Sequence, residues 1–211
     1  MNALSTQPFA LKGHRMSETK AIPPSDEQTP HHSIHVYYGY GKGKTTSCMG
    51  LAIRALGAGK QVALVQFDKG YDGVNEHYSE RHILRQLERI DLHPTGCERM
   101  REDGSFRFGV EPQDIEEAKR GFEIAEDLIR NGRQDLLILD EVLAAVTYDL
   151  AKQKDVERLL DTYDEDPRCE LVLSGHKVWD SLVERVDLVT EMRKVKHYYA
   201  QGTPARLGIE Y

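Results

Sequence analysis

The stretch YYGYGKGKTTSCMGLAIRALG, residues 37–57, decides the fold. Gly39, Gly41 and Gly43 alternate with Tyr40 and Lys42, and Lys44, Thr45 and Thr46 follow directly. Before the glycines stands the β-rich run IHVYY (34–38). After them comes an apolar helical pattern through about Leu56, ended by GAGK. A strand, a glycine turn and a helix in that order build a phosphate site. Glycines let successive backbone N–H groups turn inward and approach an anion closely. The helix that starts there adds its positive end. Lys44 brings a mobile point charge, and Thr45 offers a hydroxyl to Mg²⁺. The spacing departs from the usual G-x-x-x-x-G-K-[ST]: Tyr38 holds the first position and Gly39 comes one residue late. The bland reading is a glycine turn without a ligand; the flanking strand and helix argue against it.

A phosphate loop of this kind needs an acidic element to hold the magnesium water shell. The run DLLILDE (135–141) supplies it, with Asp140 and Glu141 at the carboxyl end of an apolar strand. The plain alternative is a pair of surface acids ending a strand. Loop and acids together read as a site for Mg²⁺ with ATP or GTP. No N-K-x-D segment selects guanine, so ATP leads.

The rest of the chain repeats the alternation. QVALVQF (61–67) reads as a second strand, NEHYSERHILRQLERI (75–90) as a helix and DLH (91–93) as a third strand. Residues 112–131 form the clearest helix. Pro112 suits its first turn, Ile115, Ala118, Phe122, Ala125 and Ile129 share one face, and Asn131-Gly132 supplies a stop. DVERLLDTY (155–163) reads as helix, ELVLSG (170–175) as strand, VWDSLVERV (178–186) as helix and DLVTEM (187–192) as the last strand. The strands are apolar throughout rather than alternating, which marks a parallel sheet covered on both faces. The expectation is an α/β fold of the P-loop, RecA-like kind: a mainly parallel sheet in a three-layer α/β/α sandwich.

Residues 1–32 are polar and broken by Pro23, Pro24 and Pro30. They read as a flexible N-terminal arm, with a lid over the site as a second role open to it. Residues 33–211 then make one P-loop domain, a size that supports one core. The trio His31, His32 and His35 reads as a polar approach to the first strand, because no carboxylate or cysteine completes a metal set.

The 211 residues carry a net charge of −7, with 39% hydrophobic and 30% charged residues, as in ordinary soluble domains. That balance argues against nucleic-acid partners, which draw on clustered positive charge. Cys48, Cys97 and Cys169 are far apart and odd in number, which fits reduced thiols. No apolar run approaches the roughly 20 residues that span a bilayer, and the start lacks a secretory core. The expectation is a cytoplasmic protein without a membrane partner.

Four segments, GYGKGKTT (39–46), ALVQFDKG (63–70), LLILDE (136–141) and VTEMRKVKHYYAQGTPARLGIEY (189–211), resemble the corrinoid adenosyltransferases of the CobA/BtuR/CobO type, in the same order, over residues 33–211. The resemblance implies that reduced corrinoid, as cob(I)alamin, attacks C5′ of ATP and releases triphosphate. It also implies an electron-donating reductase as partner and a homodimer. On it, Gly39, Tyr40, Gly41, Lys42, Gly43, Lys44, Thr45, Thr46 and Arg54 would bind the nucleotide. Thr45 and Glu141, with Asp140 nearby, would hold Mg²⁺. Lys44 would neutralise the leaving triphosphate, while Phe106 and Phe108 of GSFRFGVE would wedge against the corrinoid and displace its lower ligand.

This chain departs from the family at three places. Tyr40 replaces Asn or Asp, His176 in LSGH replaces an arginine, and Phe108 replaces tryptophan. Two other readings stay open here: a P-loop ATP hydrolase or kinase, and a non-catalytic protein that binds ATP or corrinoid.

Overall fold

Among the described residues, six short strands pair in one sheet, and every pairing is parallel. The computed structural model describes residues 32–70, 76–99, 107 and 109–211. The strands are β1 (Ile34–Tyr38), β2 (Val62–Gln66), β3 (Ile90–Pro94), β4 (Leu136–Asp140), β5 (Glu170–Gly175) and β6 (Leu188–Glu191). Their spatial order is β3-β2-β4-β5-β1-β6. The chain leaves β1, runs outward to β2 and β3, returns through β4 and β5, and crosses to the far side of β1 for β6. A parallel sheet whose order reverses in this way offers its ligand crevice at the carboxyl ends of the strands.

Strand residues alternate between two apolar layers. Val36, Val65, Leu137, Leu139, Leu171 and Leu173 face one core, closed by α3 (Pro112–Asn131), α4 (Val142–Thr147) and α5 (Gln153–Glu165). Val62, Leu64, Leu136, Ile138 and Val172 face the other, closed by Cys48, Ala52 and Ala55 of α1 (Lys44–Gly57). All five residues of β2 and of β4 are buried, the state that a strand covered on both faces requires. The three-layer α/β/α expectation holds.

Local differences from the sequence pattern have physical causes. The 75–90 stretch is not one helix: only Glu80–Leu84 forms α2, and Ile90 already begins β3. Arg89 has φ +67, a left-handed residue in the turn directly before β3, and Arg81 is fully buried as a brace. The helix read over 178–186 shortens to α6 (Asp180–Arg185). The α4 turn, unmarked in the sequence, follows from Val142, Leu143 and Ala145 burying together after the strand.

Candidate functional site

The glycine loop joins β1 to α1 at the carboxyl edge of the sheet. Its backbone is tied to two neighbours. The Gly39 N–H donates to the Gly175 carbonyl at 3.1 Å, and the Gly41 N–H donates to the Met192 carbonyl at 2.7 Å. Met192 N–H in turn donates to the Tyr38 carbonyl at 2.6 Å. Gly39 and Gly43 sit at φ +117 and +124, outside the range of other residues. Gly41 is required for another reason: a Cβ there would lie 2.5 Å from the Met192 oxygen. The loop glycines therefore admit the backbone just past β6.

Lys44, the first residue of α1, is buried and folds back so that Nζ donates to the carbonyls of Gly39 at 2.9 Å and Gly41 at 3.4 Å. One turn of contacts away, the Thr45 hydroxyl lies 3.3 Å from Asp140 Oδ1. Asp140 ends β4 with no exposed surface. Its Oδ1 accepts from Ser174 Oγ at 2.7 Å, and its Oδ2 accepts from Lys69 Nζ at 2.5 Å. Lys69 also donates to Thr45 Oγ1 at 2.7 Å. Burial works against the charges of both Lys69 and Asp140, but their mutual attraction wins. The ammonium is held above its ordinary pKa and the carboxyl below its own.

Glu141 differs from its neighbour. It adopts left-handed backbone, φ +63, and its N–H donates to Ser174 Oγ at 2.8 Å. A glutamate held at positive φ is a local cost that the surroundings must enforce. Its Oε2 is buried without a hydrogen-bond partner. Burial, then the charge of Asp140, push this carboxyl above its usual range.

Lys69 owes its position to Arg81. The guanidinium donates to the Lys69 carbonyl at 2.5 Å, to Gln66 Oε1 at 2.6 Å and to Glu76 Oε1 at 3.1 Å, and it lies 4.6 Å over the Tyr78 ring. These groups fix the turn after β2 against the sheet edge.

A cavity of about 620 Å³ opens in front of these residues. Of the residues expected at the nucleotide, Lys42, Gly43, Lys44, Thr45 and Thr46 line it, and so does Glu141. Asp140 stands behind Lys69, fully buried. Tyr40 is exposed beside the loop, its ring 5.2 Å from His176. Arg54 is exposed in the last turn of α1, about 15 Å along the helix axis from Lys44, and does not line the cavity. Phe106 and Phe108 lie outside the described residues, as does the N-terminal arm through residue 31. Between the two phenylalanines, Arg107 is tied to the start of α3 by a two-pronged bond to Asp114, at 2.9 and 2.6 Å.

The cavity also takes residues that sequence reasoning did not assign to it. Lys69 was visible in FDKG only as part of a resemblance. Tyr78 and Ser79 come from the segment before α2, and Gly208–Tyr211 from the distant tail. The tail is anchored at the loop, where Lys42 Nζ donates to the Ile209 carbonyl at 2.7 Å and pairs with Glu210 at 3.2 Å. Tyr211 stacks on His77, with ring centres 4.4 Å apart. Lys42, Lys44 and Lys69 thus converge on one cavity whose acids are Glu80, Glu141 and Glu210, with Thr45 among its hydroxyls. Three ammonium groups on one cavity suit a polyanion, and a carboxylate beside a hydroxyl could hold a divalent cation.

His176 sits over Glu141, Nδ1 to Oε2 at 3.9 Å. Burial, then the nearby Lys44 charge, push His176 down to about 4, so its ring is neutral and this approach is not an ion pair.

A family model described as ATP:corrinoid adenosyltransferase BtuR/CobO/CobP matches residues 31–211. A corrinoid adenosyltransferase of Sinorhizobium sp is 32% identical over 180 residues, 84% of this chain and 79% of that protein. One from Escherichia coli strain K12 is 28% identical over 211 residues, 99% of this chain and 100% of its own length. One from Pseudomonas aeruginosa is 30% identical over 177 residues, 83% of this chain and 82% of that one.

Proposed function

This chain belongs to the ATP:corrinoid adenosyltransferase family BtuR/CobO/CobP, and on that premise we propose that it transfers the 5′-deoxyadenosyl group of ATP to the cobalt of a reduced corrinoid, cob(I)alamin, with triphosphate as leaving group. The observation that carries this reading is the convergence of Lys42, Lys44 and Lys69 with Thr45 and Glu141 on one cavity. In the step, a bond forms between cobalt and C5′, the C5′–O bond breaks, and its electron pair departs with triphosphate. Cobalt(I) is already a strong nucleophile, so the protein has to align, exclude water and neutralise the leaving charge.

The chain's residues divide those tasks. Loop N–H groups and Lys44 hold the triphosphate oxygens. Lys42, kept in place by Glu210 and the Ile209 carbonyl, adds charge at the rim. The Gly208–Tyr211 segment and Tyr78 form the far wall and restrict water. The residues fit Mg²⁺: Glu141 Oε2 is buried without a hydrogen-bond partner, and Glu141 and Thr45 line the same cavity. Bound there, Mg²⁺ supplies further neutralisation of triphosphate. Glu141 and Thr45 would hold it, with Asp140 acting from behind through Lys69. Magnesium commonly keeps most of its shell as water and phosphate, so two protein ligands suffice.

Further parts of the reading rest on the resemblance. They are Phe106 and Phe108 as the wedge beside the corrinoid, a reductase that supplies cob(I)alamin, a homodimer, a cytoplasmic setting, and residues 1–32 as an arm separate from the domain 33–211. No helix among the described residues is long and apolar enough to cross a membrane.

The test is one anaerobic reaction of the protein with Mg-ATP and prereduced cob(I)alamin, followed by the corrinoid spectrum and the phosphate product. Adenosylcobalamin with intact triphosphate is expected. Phosphate or ADP without adenosylcobalamin would make this a hydrolase or kinase. Bound ATP with no product would make it a non-catalytic binder.

A further inference from the structure

Lys69 comes from neither the glycine loop nor the β4 acids, yet its ammonium stands between them. Nζ touches Thr45 Oγ1 at 2.7 Å and Asp140 Oδ2 at 2.5 Å. Each of these oxygens is one that a divalent cation bridging Thr45 and the strand-end aspartate would need. The threonine hydroxyl directs its hydrogen toward Asp140 and one of its two lone pairs toward Lys69. A metal at Thr45 would have to share that oxygen with the ammonium. Asp140 is fully engaged, by Ser174 and Thr45 on one oxygen and by Lys69 on the other. Glu141, the next residue, has a buried oxygen with no hydrogen-bond partner. The two acids thus differ in state: one is already neutralised by a lysine, and the other awaits a cation.

We propose that Lys69 is a resident cation, a positioning residue that holds Thr45 and Asp140 in the nucleotide-free protein and keeps a bare divalent ion out. The inference rests on reading the cavity as a site for metal and nucleotide. Without Lys69, Thr45, Asp140 and Glu141 form a cluster with two carboxylates and only Lys44, which acts on Glu141, as a nearby cation. Such a cluster attracts a divalent ion by itself. With Lys69, the Asp140 charge is already neutralised inside the cluster, and affinity for free metal is low until phosphate oxygens supply the remaining ligands. Arg81 makes the arrangement durable, because it clamps the Lys69 backbone at 2.5 Å and is itself fully buried.

The experiment uses Mn²⁺ as a spin probe on the full chain without nucleotide or corrinoid, with free Mn²⁺ read by electron paramagnetic resonance. Lys69→Met and Lys69→Gln should bind Mn²⁺ about tenfold or more tightly than the wild type. Lys69→Arg, which keeps the charge, should stay weak. Equal affinity in wild type and both neutral variants overturns the proposal, and so does tight binding by Lys69→Arg. Should the neutral variants fail to fold, the ¹⁵N-ammonium signal of Lys69 in the wild type decides. It should shift when Mg²⁺ is added together with a non-hydrolysable ATP analogue and stay put with Mg²⁺ alone; a signal that ignores the analogue, or responds to the metal alone, overturns the proposal. Neither measurement contains corrinoid, so a failure of adenosyl transfer in the reaction above leaves these outcomes unaffected.

Discussion

Replacing Gly41 with alanine should damage both stability and nucleotide binding, through contact rather than torsion. The added Cβ would lie 2.5 Å from the Met192 oxygen, 2.7 Å from its carbonyl carbon and 2.9 Å from that of Arg193. All three are backbone atoms, so no side chain can swing away. Either the end of β6 or the loop must move. Movement breaks the Gly41–Met192 bond at 2.7 Å and strains the Met192–Tyr38 bond at 2.6 Å. Overpacking of this kind costs about 1–3 kcal/mol, and each lost backbone bond about 1 kcal/mol. The sum is about 2–5 kcal/mol, a fall of roughly 5–15 °C in unfolding midpoint for a domain of this size. β6 is the outer strand and exposed along its length, so it yields first, and part of the cost appears as lost order in the tail that lines the cavity. ATP affinity by calorimetry should fall by about tenfold. Gly50→Ala is the control: it lies in α1, the helix that follows the loop, and nothing stands within 4 Å of its new Cβ, so it should be neutral or slightly stabilising. Gly41→Ala within about 0.5 kcal/mol of the wild type in urea unfolding, with unchanged ATP affinity, would refute the steric reasoning.

The other expectations concern single charges. Lys44→Ala should lower ATP affinity by about a hundredfold while the unfolding midpoint stays close to wild type, because Lys44 bonds only to two loop carbonyls; normal turnover would rule out its phosphate role. Glu141→Gln should raise the Mg²⁺ needed for half-maximal turnover by about tenfold and leave the metal-free protein equally or more stable, since burial and the neighbouring Asp140 charge outweigh the lysines at this carboxylate and its Oε2 has no hydrogen-bond partner; an unchanged magnesium titration refutes this. Asp114 is held at about 2, chiefly by the Arg107 hydrogen bonds and against burial, below its ordinary 3.8. A depressed carboxyl stabilises the fold above its unfolded value and loses that contribution as pH falls through the folded one. Asp114→Asn should therefore cost about 2 kcal/mol at neutral pH, and the gap from wild type should close between about pH 4 and pH 2 in denaturant titrations; a gap that does not change with pH would refute the charge account. Tyr40→Asn and His176→Arg should be non-additive in a double-mutant cycle on ATP affinity, because the two rings touch; strict additivity would separate them.

The fold was legible because its evidence is local. Strands buried on both faces, such as β2 and β4, can only read as unbroken apolar runs, and the long α3 carries one clean face. The glycine loop was legible for the same reason, since strand, glycines, lysine and threonine are contiguous. What could not be read was whatever depends on distant segments meeting. Lys69 reaches Thr45 across 24 positions and Asp140 across 71. Lys42 meets the tail across 167. The need for glycine at 41 arises from Met192, which no spacing within the loop reveals. The 75–90 stretch read as one helix, but only Glu80–Leu84 is helical, and Arg81 within it is a buried brace bonded to Gln66 and the Lys69 carbonyl, partners that lie outside the stretch.

The same distance effect changes the meaning of the departures at Tyr40 and His176. In sequence they are two unrelated exchanges, 136 positions apart. In space their rings lie 5.2 Å from each other, and Tyr148 packs edge-on to the same histidine at 5.3 Å. An arginine at 176 would bring a permanent cation next to Glu141 and to Lys44. The histidine brings a neutral ring instead, and Tyr40 covers it. One exchange removes a charge, and the other supplies the surface that the uncharged ring packs against. Glu141 therefore has no fixed cation at 176. Its charge falls to Lys44 and Lys69. On the proposed reading the phosphate groups, Lys44 and the loop, are untouched by the exchange. The change is confined to the acid's outer face, where a carboxylate without a cation at 176 would draw a divalent ion more strongly.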